Sequence, residues 1–306
     1  MNLTPSNQIN LYGLDENLRL FISLYKKQSL PNKILLSGKK GIGKSTLAYH
    51  LINYILSENE ECPYDEKNLK IDNLNKSFKL ITANVSPNFH LIDVSAGFKS
   101  INIDQIRNLI KNINKSSFNN KPNFILIDNT EYLNKNSINA LLKDLEEPNK
   151  NTFFILINSQ KKLLSTLTSR CINFNISLSN QVSLNVINKL INDDVYNHIS
   201  NELIDYYFSP GNIYNLFNFA NSNNLDIKEI SLVTFIQLLI KNNFFKKETS
   251  MRYIFFDYVE LCLKKASINM NNNYNNYFIK RINNLKKFNL DEESFFIEFQ
   301  DKILNG

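Results

Sequence analysis

Nine consecutive residues, Gly38-Lys39-Lys40-Gly41-Ile42-Gly43-Lys44-Ser45-Thr46, carry the clearest chemical pattern in this chain. They fit G-x-x-x-x-G-K-[ST]. In that pattern glycines let backbone N–H groups approach a polyphosphate, the lysine reaches its outer phosphates, and the hydroxyl ligates Mg²⁺. ATP or ADP with Mg²⁺ is therefore the expected cofactor, held through Lys44 and Ser45. Three of the chain's seven glycines fall in this short stretch, which argues against a chance surface turn. Two more residues join the expected nucleotide set from the ends of apolar runs: Asp128 after Phe124-Ile125-Leu126-Ile127, and Asn158 after Phe153-Phe154-Ile155-Leu156-Ile157. An acid closing a buried strand is suited to holding the Mg²⁺ water shell, so Ser45 and Asp128 are the expected metal-side groups.

A second candidate set is basic. Arg107, Lys111 and Lys115 recur every fourth residue, opposite an apolar face of Ile103, Ile106, Leu109, Ile110 and Ile113. Such a stripe is ordinarily a solvated helix face; its sharper reading is a row of phosphate contacts to DNA. Cysteine chemistry is not indicated. Cys62, Cys171 and Cys262 lie far apart with no C-x-x-C pair, which predicts neither a disulfide framework nor a zinc site.

The hydrophobic pattern says what must position these groups. Residues 12–34 are expected to hold one amphipathic helix with Leu18, Leu20, Phe21 and Leu24 inward, ended by Leu30-Pro31. Ile34-Leu35-Leu36 reads as a buried strand entering the glycine loop, and Leu47, Leu51, Ile52 and Ile55 mark the helix leaving it. Residues 57–79 are polar and charged, which predicts a surface excursion. Strands expected at 89–94, 124–128 and 153–157 alternate with helices at 103–113 and 138–145, the latter carrying Ile138, Leu141, Leu142 and Leu145 inward and stopping at Glu146-Glu147-Pro148. That alternation calls for an α/β domain, a parallel sheet covered by helices on both faces. Beyond Cys171 the strand-like runs largely stop. Short helices are expected at 186–191 and 202–219, broken at Ser209-Pro210-Gly211. Longer ones follow at 232–240, 253–263, 277–285 and 295–304, with an asparagine-rich loop at 269–276. The expected division is a nucleotide-binding domain at 1–177, a small helical lid at 178–224, and a helical C-terminal domain at 225–306.

The totals are permissive. With 306 residues, 43% hydrophobic and 21% charged, the chain is long enough for two or three globular domains. A net charge of +6 allows a nucleic-acid partner without requiring one. No apolar run approaches a membrane span, and Met1-Asn2-Leu3-Thr4 does not start a signal peptide, so the expectation is a cytoplasmic protein with no membrane partner.

The segment Asn139-Ala140-Leu141-Leu142-Lys143-Asp144-Leu145-Glu146-Glu147-Pro148 resembles the N-A-L-L-K-x-L-E-E-P signature of the clamp-loader AAA+ ATPases, and Thr168-Ser169-Arg170-Cys171 matches their S-R-C motif. With the phosphate loop and residues 90–107 and 163–171, the chain looks most like the delta-prime type within that family. The similarity is dense over about 30–174; beyond it only Ser209-Pro210-Gly211 and Asn289-Leu290-Asp291 follow the family. The resemblance implies a P-loop AAA+ domain, a helical lid and an all-α collar domain. It also implies a hetero-pentamer with gamma/tau and delta subunits that reaches the sliding clamp and primed DNA during replication. Such a chain is a component of the DNA-directed DNA polymerase holoenzyme and not itself the polymerase. Arg170 would be the arginine finger, projecting in trans into a neighbour's ATP site.

Departures from the family pattern matter as much. Asn129 stands where hydrolysing relatives carry a glutamate after the Walker-B Asp128, and Glu131 is expected to point elsewhere along the loop. The sensor-2 position reads Gly211-Asn212, and the four-cysteine zinc module is reduced to Cys62. Together these imply own ATPase activity that is weak or absent. Three alternatives stay open: Arg170 as a structural arginine paired with an acid of the sheet, a gamma/tau-like subunit hydrolysing ATP through Glu131 or another base, and a scaffold that binds no nucleotide.

Overall fold

The structure, a computed structural model, describes residues 3–94, 100–113, 120–147, 151–159, 165–204, 208–247, 251–266, 272–288 and 292–304. The chain divides into two compact units, Met1–Ser183 and Leu184–Gly306.

The first unit is built on five parallel strands. These are β1 (Lys33–Ser37), β2 (Phe89–Ile92), β3 (Asn123–Ile127), β4 (Thr152–Asn158) and β5 (Ile172–Asn175), ordered β2-β3-β4-β1-β5. Side chains alternate between two apolar cores. Ile34, Leu36, Phe124, Leu126, Ile155 and Ile157 enter one. Leu35, Ile125, Ile127, Phe154 and Leu156 enter the other. Both faces are buried, which is why these strands read as continuous apolar runs. Helices α1 (Asp15–Lys26), α2 (Lys44–Leu56) and α3 (Lys76–Thr82) contribute to the first core; α4 (Ile103–Ile113), α5 (Lys135–Glu146) and Leu167 of the short α6 (Ser165–Thr168) line the second. The expected α/β sheet with helices on both faces is the observed one.

Three local expectations fail for identifiable reasons. Helix α1 is shorter than residues 12–34, and Leu20 lies outward at 47% exposure while Ile22 takes an inward place beside Leu18 and Phe21. The inward set follows i, i+3, i+4 from Leu18, and Leu20 falls off that face. Residues 57–79 are not a mere surface excursion: Tyr64, Leu69 and Ile71 enter the core against α2. Most of the polar groups buried beside them are paired, Asn53 Oδ1 excepted. Asn53 donates to Asn75, Asn75 donates to the Cys62 carbonyl and caps α3 at Phe78 N, and Tyr64 N donates to Ser57 Oγ. Strand β5 was not expected, because Ile-Asn-Phe-Asn at a sheet edge carries little apolar pattern and Ile172 is exposed.

The second unit is helical. Helix α7 (Asn180–Ile191) spans the division at 183/184, followed by α8 (Pro210–Ser222), α9 (Leu232–Lys241), α10 (Phe244–Lys247), α11 (Arg252–Ala266), α12 (Asn272–Phe288) and α13 (Glu293–Phe299). Ser209-Pro210-Gly211 starts a helix instead of breaking one. Ser209 Oγ accepts from Asn212 N, and Pro210 takes the first position, where its missing N–H has no intrahelical partner to lose. The asparagine-rich stretch is helical from Asn272; residues 269–271 of it, like Asn289-Leu290-Asp291, lie outside the described residues. Phe219 of α8 packs edge-on against Phe244 and Phe255, and Tyr258 OH donates to the Leu203 carbonyl. These contacts cross residue 224, so helices on either side of it share one core. The inward faces of α9 and α11 belong to that core, since Phe235, Ile236, Phe255, Tyr258 and Leu263 are all buried within the chain itself.

Candidate nucleotide site and surface arginine

Strand β1 delivers the chain into the glycine loop, and α2 leaves it. Gly38 cannot be anything larger: a Cβ there would lie 2.2 Å from the Ile176 carbonyl oxygen. Gly43, at φ 93° in the left-handed region, forms the N-cap of α2 and offers no side chain to the first-turn N–H groups. Those donors, at the positive end of a thirteen-residue helix, are suited to an anion. Lys44 opens the helix and is only 4% exposed. Its Nζ donates to the carbonyls of Gly38 (2.9 Å) and Lys39 (2.7 Å) and to Ser159 Oγ (3.2 Å). Burial pushes the ammonium down to about 8, against the pull of the Asp128 and Glu131 carboxylates. Lys39, Lys40, Gly41, Ile42 and Thr46 complete the expected loop, with Gly41 also at positive φ and Ile42 buried.

The parallel register aligns the strand ends around this loop, with Ser37 of β1 opposite Asn158 of β4. Asp128 follows β3, and its Oδ2 accepts from Ser45 Oγ at 2.5 Å. Burial raises the Asp128 pKa, and the neighbouring Asp93 carboxylate adds to the rise. A hydroxyl and a carboxylate meeting beside a phosphate-type cradle are an oxygen donor set of the kind Mg²⁺ takes with a nucleotide, so the residues present fit the expected group. Asn158 is buried at the end of β4.

Sequence reasoning missed three features here. Ser159 contacts Lys44 directly. Glu131 does not point away: its Oε2 accepts from Ser159 N at 3.3 Å and its charge reaches Lys44. Asn129 is left-handed at φ 55°, and its Nδ2 donates to Asp93 Oδ1 at 2.8 Å, an acid contributed by the end of β2. The apolar-run pattern that exposed Asp128 could have flagged Asp93, which closes the preceding strand in the same way.

Arg170 follows α6 and lies at the surface, its side chain 31% exposed, in neither apolar core. Its partner is Glu146, the last residue of α5 and part of the L-E-E-P segment, not an acid of the sheet. Arg107 is exposed on α4 and pairs with Asp104 at 3.7 Å. Lys111 lies on the same helix, but its side chain, and all of Lys115, fall outside the described residues. Gly211 and Asn212 occupy the first turn of α8 in the second unit. No described helix is long and apolar enough to cross a membrane.

Comparison with known proteins bears on this arrangement. The profile of a family described as "DNA polymerase III, delta subunit" matches residues 13–180, more than half of the chain. A protein named DNA polymerase III subunit delta' from Buchnera aphidicola subsp. Schizaphis graminum is 28% identical over 280 residues, covering 86% of this chain and 82% of the relative. One of the same name from Pseudomonas aeruginosa is 32% identical over 146 residues, 45% of this chain and 40% of the relative. A gamma subunit-related protein from Thermotoga maritima is similar in structure at a TM-score of 0.47 and 15% identity, covering 96% of this chain and 97% of that one.

Proposed function

The chain belongs to the DNA polymerase III delta-prime family, and from that premise we propose that it is a clamp-loader subunit that grips a magnesium nucleotide and lends Arg170 to a neighbour's ATP site. The neighbours would be gamma/tau and delta subunits, and the assembly would load the sliding clamp onto primed DNA. What supports the reading is Arg170: a guanidinium 31% exposed at the surface, paired with Glu146 and folded into neither core. In such sites an arginine supplied by an adjacent subunit contributes about 10³–10⁵ in rate, or roughly 4–7 kcal/mol.

The chain's own site fits a gripping role. Lys44 and the α2 N-terminus would hold the phosphates of ATP or ADP, and Ser45 and Asp128 would hold Mg²⁺, which supplies charge neutralisation between phosphate oxygens when bound. What the site lacks is a proton acceptor after Asp128. Asn129 is an amide, and its side chain is committed to Asp93. General-base catalysis contributes about 10²–10⁴, so hydrolysis here is expected to be slow. Arg107, Lys111 and Lys115 remain the proposed DNA contacts. Each phosphate contact removed should lower the salt slope of DNA binding by the assembled complex by about 1.

Reconstitution tests this reading. Arg170→Ala should leave assembly with the gamma/tau and delta subunits intact and slow hydrolysis at the one neighbouring site by at least about 10³, read as a measurable loss of DNA-stimulated ATP turnover by the complex. Unchanged turnover, or failure of the wild-type chain to assemble, would overturn it. The alternative of an ATPase in its own right draws on one observation: Glu131 accepts from the backbone of Ser159, whose hydroxyl contacts Lys44. It predicts turnover by the isolated chain that both Lys44→Ala and Glu131→Gln abolish.

A further inference from the structure

Glu146 closes α5, where its carboxylate meets the negative end of the helix dipole, a position that favours a cation over an acid. Its surroundings compensate. Arg170 Nε donates to Glu146 Oε1 at 2.9 Å, and Nη2 donates to the same oxygen at 2.5 Å. The opposite edge of the guanidinium is held too: Nη1 donates to the Thr166 carbonyl at 2.8 Å, with a longer 3.5 Å contact to Ser169 Oγ. Thr166 belongs to α6, which Leu167 anchors in the second core. A guanidinium presents five N–H donors in a rigid fork. With these bonds made, one Nη2 hydrogen has no acceptor among the described residues, and one Nη1 hydrogen has only the long contact to Ser169.

We propose that Glu146 is a positioning residue for Arg170. It grips one edge of the guanidinium, while the Thr166 carbonyl grips the other, so that the remaining N–H groups are presented to a phosphate of the neighbouring subunit's nucleotide. The inference rests on the trans-arginine reading above and adds the residue that aims the finger. An exposed ion pair with no such task would contribute little to anything measurable.

The convergence of both bonds on one oxygen makes the idea testable. A glutamine amide oxygen can accept both N–H groups as Glu146 Oε1 does, whereas alanine can accept neither. The measurement is steady-state ATP turnover of the reconstituted complex carrying full-length variants of this chain. Glu146→Ala should lower kcat on the order of tenfold or more, with KM for ATP and assembly unchanged. Glu146→Gln should stay within about threefold of wild type, and Glu146→Ala should add nothing on top of Arg170→Ala. Turnover by Glu146→Ala at or above wild type, with Arg170→Ala inactive, overturns this inference alone. So does a Glu146→Gln complex as slow as Glu146→Ala, because charge and not placement would then be the cause. Loss of assembly by Glu146→Ala overturns it likewise. Arg170→Ala without effect overturns the trans-arginine reading, and this inference with it.

Discussion

Lys44 carries a positive charge in a place that resists it, and two pH dependences follow from buried bases of this kind. With its pKa pushed down to about 8, the lysine is charged at neutral pH and half neutral near 8. A bound polyphosphate favours the protonated form. Nucleotide binding above pH 8 must therefore take up a proton, and affinity should fall by up to about tenfold per pH unit from there upward. Fluorescent-nucleotide titrations between pH 7 and 10 measure this, and Lys44→Ala should abolish binding throughout. His50 works in the other direction. It is fully buried on α2 between Tyr64 OH (2.8 Å) and the Gln8 carbonyl (3.2 Å), and burial lowers it to about 4. Below pH 6.5 the unfolded chain takes up a proton that the folded one refuses. Stability should thus drop as pH falls from 6.5 toward 4, by about 3 kcal/mol from this group. Urea midpoints across that range should show a steep slope in wild type and a shallower one in His50→Asn.

Helix ends account for much of what asparagine does in a chain with seven glycines. Among the described residues, Asn84, Asn192, Asn224 and Asn243 all have left-handed φ just past helix C-termini. After α8 the arrangement is a Schellman motif: Asn224 N donates to Asn221 O and Leu225 N to Ala220 O. Asparagine tolerates this conformation better than other side chains, though not as well as glycine. Asn224→Ala should destabilise by about 1–2 kcal/mol while Asn224→Gly is neutral or stabilising, a sign difference that denaturant midpoints will resolve. At the other end of the same helix, Ser209→Ala should lose about 1 kcal/mol through the cap on Asn212 N.

Across the whole molecule, binding and unfolding are linked. If nucleotide grips the folded first unit and not the unfolded chain, ligand at 100 times its dissociation constant should add about 2.7 kcal/mol of stability. A rise in thermal midpoint with ATP or ADP, absent in Lys44→Ala, is the expected result. Turnover by the isolated wild-type chain should stay near background under the same conditions. The inward faces of α9 and α11 are buried within the chain itself, while Val233, Tyr277 and Ile297 of this unit are exposed apolar side chains.

The glycine loop, the central strands and Asp128 were legible without coordinates, because each is written in contiguous residues. A phosphate cradle needs glycines and a lysine at set spacing, and strands buried on both faces must be apolar throughout. The chemistry between segments was not legible. Asn129 meets Asp93 across two adjacent strand ends, Glu131 meets Ser159 across another pair, and Glu146 finds Arg170 twenty-four positions along the chain. Strand β5 and the packed stretch at 57–79 were hidden for the same reason. An edge strand needs no apolar run, and buried polar side chains are tolerated only where distant partners satisfy their hydrogen bonds. Local spacing determined what this protein could bind; tertiary packing decided which acids stand beside the lysine and which one holds the arginine.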